Sequence, residues 1–111
     1  MKLNLFVTQN YERDKEMLTN KIWTDGLQVY RRLFILHADS KENLPSNVNS
    51  IVSITGFVML QGTYIQQLPF LSGDGLFKCS CTVTNNEVHL ETSEDARNDF
   101  EAYVIIEYTK K

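Results

Sequence analysis

The chain has 111 residues, of which 42% are hydrophobic and 23% charged, so it is large enough for one folded domain and is not an intrinsically disordered chain. Its formal net charge of −3 argues against nucleic acid as the main partner and against docking on anionic lipid, because both need a basic surface. No run approaches the roughly 20 apolar residues that span a bilayer, so we expect no membrane insertion.

The first part of the chain is predicted to be an N-terminal arm, residues 1–20, which precedes a β-sandwich domain over 21–111. Leu3, Leu5 and Val7 alternate with a second set of residues, Lys2, Asn4, Phe6 and Thr8, which predicts a short strand or an extended arm. The charged stretch that follows is predicted to form one or two helical turns through Met17 and Leu18, or a loop. Because the N-terminus lacks the apolar stretch and cleavage site of a signal peptide, we expect synthesis and retention in the cytoplasm, unless the chain leaves in a larger particle.

From Ile22 onward the apolar residues recur with a period of two, which predicts β-strands. The predicted strands are 29–36, 50–60, 63–68, 76–84, 87–92 and 101–109. Turns are predicted at Asp25-Gly26, Gln61-Gly62 and Asn85-Asn86, and loops over 37–49, 69–75 and 93–99. Gly56, in the middle of a strand, indicates a bulge or a close approach of two backbones. Six to seven or more strands at spacings of about ten residues predict an all-β, antiparallel, jelly-roll-like β-sandwich.

The two cysteines, Cys79 and Cys81, alternate with polar residues and should point to one face of their strand. Residues two apart in a strand are separated by about 7 Å, which is too far for an ordinary disulfide. Zinc needs four ligands, and no second cysteine pair or histidine cluster exists to complete a site. We therefore interpret both cysteines as small buried hydrophobic residues of a protein made in a reducing compartment.

Other candidate reactive groups have simpler interpretations. His89 between Glu87 and Glu91 suits a metal ion or a shifted pKa, but alternating charge is more typical of a solvated strand face. The segment 37–40 contains His, Asp and Ser, yet neighbouring residues in a loop cannot adopt the geometry of a hydrolase triad. The acidic loop 93–99 does not match the spacing of an EF-hand, so a solvated loop is favoured over a calcium site. We expect no catalytic residue, no metal and no cofactor.

Four amphipathic aromatic residues suit either a ligand or the interior: Trp23, Tyr30, Tyr64 and Tyr103. Their rings can stack on sugars or lie in a protein interface, or they can fill the core and cap strand ends. For a bound saccharide we select Tyr64 and Tyr103 as candidate ligand-binding residues, with the loops 43–49 and 71–75 beside them, because loops on a rigid sandwich commonly carry recognition.

Three segments occur in a recognisable order: Trp-Thr-Asp-Gly-Leu-Gln-Val-Tyr-Arg at 23–31, Ser-Ile-Val-Ser-Ile-Thr-Gly at 50–56, and Glu-Ala-Tyr-Val-Ile-Ile-Glu-Tyr-Thr-Lys at 101–110. Together they resemble a β-sandwich domain of bacteriophage tail-fibre and receptor-binding proteins, over about residues 11–110. The chain departs from that pattern at Leu27, where a lysine is usual, and in having its own N-terminal arm in place of a fibre shaft. Its place in a virion, at a fibre tip, in the baseplate or elsewhere, stays open.

The resemblance implies a non-catalytic virion component that is synthesised in the cytoplasm of a bacterial host. It implies assembly with other virion proteins on a tail or fibre, often as a homo-oligomeric trimer, and recognition of the host surface, for which a bacterial saccharide is the expected ligand. An alternative is a structural head-decoration or connector protein that binds no ligand. A third possibility, a small hydrolase or metal enzyme, requires His37 and His89 to meet near a carboxylate.

Overall fold

The computed structural model describes residues 15–37, 41–60, 64–71, 73, 78–92 and 100–111. Within those ranges the chain forms nine strands and no helix, which confirms the all-β fold class. The strands are β1 (Glu16–Ile22), β2 (Gln28–Leu36), β3 (Lys41–Asn43), β4 (Val48–Leu60), β5 (Tyr64–Gln67), β6 (Phe70–Leu71), β7 (Lys78–Thr84), β8 (Glu87–Thr92) and β9 (Phe100–Lys110).

The strands form two antiparallel sheets that pack together as a sandwich. One sheet has five strands in the order β1-β2-β9-β4-β5, and the other has four in the order β3-β8-β7-β6. Strands that are distant in the sequence are neighbours in space, since β2 pairs with β9 and β3 pairs with β8. This nested connectivity is the jelly-roll-like feature that the sequence predicts.

The central strand β9 supplies the middle of the core. Its even-numbered residues from Ala102 to Tyr108 are fully buried and point at the four-stranded sheet, where they meet Val88 and Leu90 of β8. Burying one large aliphatic or aromatic side chain contributes about 1.5–3 kcal/mol. The other members of this core cluster are Phe34, Leu36, Leu44, Val58 and Cys79.

A second apolar cluster lies on the outer face, which we define as the face of the five-stranded sheet that points away from the four-stranded sheet. Leu33, Met59 and Tyr103 form it, with Ile35, Phe57 and Ile105 packed against them. Leu33 is only 5% exposed, and Met59 and Tyr103 are 8% exposed. Because β9 carries apolar residues on both faces, its sequence is a nearly continuous apolar run and does not alternate.

The chain departs from the predicted elements at its start. The predicted helical turns or loop through Met17 and Leu18 are wrong, because these residues belong to β1, which pairs with β2 from Glu16 opposite Arg32. Pairing with β2 satisfies the backbone groups of this charged stretch, which has no apolar stripe of its own for a helix. Most of β1 therefore lies before residue 21. Residues 1–14, on which the rest of the predicted arm falls, lie outside the described residues.

Two predicted loops each contain a short strand. The segment 37–49 includes β3, and the segment 69–75 includes β6, which pairs with β7 through Phe70 and Leu71. Strands of two or three residues are too short to produce a recognisable period. The predicted tight turn at Asn85-Asn86 is confirmed, because both residues have positive φ, 53° and 63°, as a type I′ hairpin turn requires.

Candidate functional site

The first turn of the described chain is built on Asp25 and Gly26. The Gly26 N–H donates to the Trp23 carbonyl at 2.9 Å, and Gly26 adopts a φ of 80°, which favours glycine. Asp25 Oδ1 accepts the Leu27 N–H at 3.0 Å, so the side chain holds the turn that it belongs to. The Asp-Gly signal in the sequence thus forms the turn that it predicts.

The second oxygen of Asp25 joins this turn to two distant strands. Oδ2 accepts hydrogen bonds from Asn49 Nδ2 at 2.8 Å, from Ser50 Oγ at 3.1 Å and from Thr109 Oγ1 at 2.7 Å. Loss of solvent acts to raise the pKa of Asp25, but the hydrogen bonds, first that from Thr109, outweigh it and lower the pKa to about 2. Asp25 is therefore a carboxylate at neutral pH that locks β4 and β9 to the β1–β2 hairpin.

A second junction joins the middle of β4 to β9. Gly56 lies opposite Val104, and a Cβ built on Gly56 would lie closer than 3.0 Å to the Tyr103 carbonyl oxygen. Such a distance is not found for real side chains, so the two backbones approach as only glycine allows. Of the two roles predicted for Gly56, the close approach is confirmed.

Glu107 anchors a charged cluster on the outer face. Its carboxylate accepts hydrogen bonds from Arg31 Nε at 2.8 Å and Nη2 at 2.6 Å, from Lys21 Nζ at 3.3 Å and from Ser53 Oγ at 3.2 Å. Burial acts to raise the pKa of Glu107, but the bonds from Arg31 and Lys21 lower it below its usual value. Arg31 is therefore committed to a structural ion pair with Glu107, in a cluster that joins β1, β2, β4 and β9.

Glu16 ties β1 to the end of β9 in a similar way. The Tyr108 hydroxyl donates to Glu16 Oε1 at 2.6 Å, and Lys110 Nζ donates to Oε2 at 2.7 Å. The same Lys110 ammonium lies 4.2 Å from the centre of the Tyr30 ring, a cation–π distance. These contacts explain why β1 belongs to the sheet, although its polar sequence does not predict a strand.

A cleft opens between the two sheets along one side of the sandwich. It has a volume of about 250 Å³ and is lined by residues 54–56, by Leu68 and Pro69, by Ser80 and Cys81, and by Val104. The lining is mostly apolar, and the exposed side chains Ile54 (39%) and Ile51 (37%) continue it along β4. At this side the outward edge of β4 is paired with β5 from Phe57 to Leu60, and the Leu68 N–H donates to the Gly56 carbonyl at 3.0 Å.

The two candidate ligand-binding tyrosines lie in different places in the structure. The Tyr103 ring stacks on Phe57 with centroids 5.2 Å apart and 19° between the planes, and the residue is 8% exposed in the outer-face cluster. Tyr64 pairs with Leu60 at the start of β5, and its side chain lies outside the described part of the molecule. A saccharide role for either residue stays a prediction.

The cysteines and histidines are placed largely as their patterns indicate. Cys79 and Cys81 are free thiols that face the core from β7, and burial raises the pKa of each to about 11. His89 Nε2 lies 3.0 Å from Glu87 Oε1 on the opposite face of that sheet, and His37 is an exposed residue after β2. In the described ranges, no three His, Cys, Asp or Glu side chains are grouped as metal ligands. The acidic loop 93–99 lies outside those ranges.

The long-range contacts and the exposure of some residues could not be predicted, because no local sequence pattern indicates them. The Asp-Gly pair predicts a turn, but nothing in the sequence says that Asp25 reaches Thr109, 84 residues away. Likewise, the exposure of Leu18 (59%) and Ile22 (65%) follows from the position of β1 at the edge of the sheet.

Comparison of the chain with protein-family models, with curated proteins and with solved structures finds no match. No helix in the described residues is long and apolar enough to cross a membrane.

Proposed function

We propose that this chain is a non-catalytic component of a bacteriophage virion, part of the tail or fibre, which acts by assembling with neighbouring proteins and helps the particle engage its host. The observation that carries the proposal is the convergence of the three segments that resemble tail-fibre domains. Asp25 of the first segment accepts hydrogen bonds from Ser50 of the second and Thr109 of the third. Gly56, which ends the second segment, lies against Tyr103 and Val104 of the third.

This convergence supports the resemblance in a specific way. Strand-like strings recur by chance, and unrelated strings have no reason to meet through their polar and glycine positions. Here the aspartate, serine and threonine of the pattern form the junction that holds β4 and β9 to the first hairpin, and the glycine forms the junction between β4 and β9. A shared pattern of this kind marks a shared scaffold, so it supports an assembly role and assigns no catalytic residue.

The exposed apolar side chains favour a protein partner as the first ligand to test. Among the described residues, the large exposed hydrophobic side chains are six aliphatic residues and one tryptophan: Leu18, Ile22, Ile51, Ile54, Ile65, Leu71 and Trp23. Aliphatic side chains suit a protein interface, whereas a saccharide is bound best on aromatic ring faces. We therefore put contact with virion proteins first and a host saccharide, bound near Tyr64 or Tyr103, second.

The test is to locate the chain in purified virions. An antibody raised against the recombinant protein is used to blot separated tail and head fractions of the phage whose genome encodes it. Detection in the tail fraction is expected. Detection in heads alone supports the structural head-decoration or connector alternative and overturns the tail assignment. Absence from intact virions overturns the proposal altogether.

Host engagement is tested separately with labelled protein and host cells. Saturable binding that competes with adsorption of the phage is expected if the chain touches the receptor. The variant Tyr64→Ala should then weaken binding, with Tyr30→Ala as a control, because Tyr30 is committed to Lys110 and to the Tyr108 ring inside the sheet. Unchanged binding of Tyr64→Ala and Tyr103→Ala would remove the saccharide assignment from these residues and leave the assembly role.

A further inference from the structure

We infer that the leading segment of this chain, which we define as residues 1–14, packs on the outer face of its own five-stranded sheet and covers the outer-face cluster. That cluster consists of six apolar residues: Leu33, Ile35, Phe57, Met59, Tyr103 and Ile105. The inference goes beyond the proposed function, because it names an interaction surface and its occupant whatever the place of the chain in a virion.

The outer-face cluster is buried although no other described strand packs on it. Its members all belong to β2, β4 and β9, which are adjacent strands of one sheet, and the four-stranded sheet lies on the other side. Leu33 is nevertheless only 5% exposed, and Met59 and Tyr103 are 8% exposed. When one face of an antiparallel sheet is solvated, the outward ends of its side chains meet water. Burial to this degree in a single layer of side chains indicates that further chain lies over it.

The direction of β1 brings the leading segment to this cluster. β1 runs antiparallel to β2 and begins at Glu16, which lies opposite Arg32. The residues before Glu16 therefore lead toward the end of β2 that carries Leu33 and Ile35. An extended chain advances about 3.3 Å per residue, and the distance from β2 across β9 to β4 is roughly 10 Å. The leading segment is thus long enough to cross all three strands of the cluster.

The leading segment also has the amphipathic pattern that this surface needs. In an extended segment, alternate side chains share one side. One side of the segment is aliphatic over residues 3–7: Leu3, Leu5 and Val7. The opposite side carries three polar residues and one phenylalanine: Lys2, Asn4, Thr8 and Phe6. Packing the aliphatic side on the cluster removes apolar surface of both partners from water and leaves the polar residues in solvent.

The other segments that lie outside the described residues suit this face less. Residues 61–63 form a short link between β4 and β5, too short to cross to β2. Residues 93–99 precede β9, but four of them are charged and their one aliphatic side chain is that of an alanine. Residues 38–40 lead to β3 and residues 74–77 lead to β7, both in the four-stranded sheet. The leading segment is therefore the occupant whose position and chemistry both match.

The occupant comes from the same chain because β1 already holds the leading segment beside the cluster. Attachment at Glu16 gives the segment an effective concentration on the order of millimolar at this face, which a free second copy does not reach in dilute solution. The contact also bears on the saccharide candidates. Tyr103 belongs to the cluster, so a sugar could stack on its ring only after the leading segment leaves.

Photocrosslinking within the full chain tests this placement. Benzoylphenylalanine replaces Leu5, the protein is irradiated, and peptide mass spectrometry locates the new bond. Crosslinks within one chain to cluster residues of β2, β4 or β9 are expected. The same replacement of Asn4 is the matched control, since alternation puts it on the opposite side, and it should lose most of these crosslinks. The inference is overturned by crosslinks to the four-stranded sheet, by crosslinks between two chains, by equal crosslinking from both positions, or by none in a folded protein.

Limited proteolysis measures how firmly the leading segment is held. Leu5→Asp places a charge against the cluster and should speed chymotrypsin cleavage after Tyr11 at least about tenfold, because cleavage follows the population of the released segment. Asn4→Asp adds the same charge on the opposite side and should leave the rate unchanged. Ile105→Ala thins the cluster from the sheet side and should also speed the cleavage. Equal rates for wild type and Leu5→Asp, both folded by circular dichroism, overturn the inference and leave the proposed virion function untouched.

Discussion

Thr109 donates its hydroxyl to Asp25 across 2.7 Å and accepts the Ser50 N–H at 3.1 Å, so one buried side chain connects the first hairpin, β4 and β9. Asp25 itself lies at the surface, but Asn49, Ser50 and Thr109 all donate to it in this junction, which makes the charged form of the carboxyl the preferred one. The junction is thus held by charge-assisted hydrogen bonds that exist only while Asp25 is ionised.

Replacing Asp25 with asparagine should lower the melting temperature at pH 7 by several degrees, because an amide offers one acceptor where the carboxylate offers two. The decrease in melting temperature should depend on pH. The folded pKa of about 2 lies below the ordinary aspartate pKa of about 3.8, so this stabilisation is present above about pH 4 and is lost as the pH falls toward 2. Melting curves of the two proteins from pH 7 to pH 2 should therefore converge at the acid end.

Glu91→Gln serves as the control for that experiment, since Glu91 is an exposed carboxylate whose contact with Thr82 is long, 3.5 Å. Its melting curves should follow those of the wild type at every pH. Equal melting temperatures for Asp25→Asn and wild type at pH 7 would mean that the junction contributes nothing to stability.

Gly56→Ala should destabilise the fold by about 1–3 kcal/mol, the usual cost of forcing an extra carbon into a packed site. The added Cβ would collide with the Tyr103 carbonyl of the neighbouring strand, which cannot move without breaking the β4–β9 ladder. Gly73→Ala is the matched control, because a Cβ there meets nothing within 4 Å, and it should change stability by less than about 1 kcal/mol. Urea unfolding of both variants measures the difference, and equal midpoints would contradict the close approach at Gly56.

The all-β class and most strands could be predicted because their signals are local. Alternation in β7 and β8 and the Asn85-Asn86 turn need only a few neighbouring residues, and the turn has the positive φ values expected of it. Gly56 was recognisable as a special position for the same reason, since glycine is unfavourable within a strand unless something requires it.

The features of the fold that could not be predicted from the sequence depend on contacts between distant segments. β1 has no apolar period of its own, and its place is fixed by Glu16 binding Tyr108 and Lys110 from the opposite end of the chain. The burial of Tyr103 on the outer face, against Phe57, also follows from the pairing of β4 with β9 and from no local pattern. Tertiary pairing of this kind sets which apolar residues are covered and which stay exposed.

Glu107→Gln should cost about 1–3 kcal/mol in the free energy of unfolding, because the Arg31 guanidinium would lose its charged acceptor in a mostly buried site. Since the pKa of Glu107 is lowered in the folded protein, this stabilisation is present above the ordinary glutamate pKa of about 4.5 and falls as the pH drops below it. Glu87→Gln at the solvated His89 contact is the control and should stay within about 0.5 kcal/mol. Similar decreases in the free energy of unfolding for the two variants would show that the Glu107 cluster stabilises the fold no more than a surface ion pair does.

The cysteines should be nearly unreactive in the folded protein at neutral pH. Burial raises the pKa of both thiols to about 11, and only the thiolate attacks a reagent such as Ellman's disulfide. Labelling at pH 7.5 should therefore be slow, and both thiols should react together once urea unfolds the chain. Because residues two apart on one strand face do not meet the geometry of a disulfide, mild oxidant should leave the folded monomer free of an internal bridge.

Single-cysteine variants separate the two thiols. Cys81 lines the cleft and is partly exposed, whereas Cys79 is 1% exposed in the core. Cys79→Ser, which keeps Cys81, should therefore label faster than Cys81→Ser, and raising the pH toward 11 should accelerate its labelling. Equal labelling rates for the two variants would contradict the greater exposure of Cys81 in the cleft.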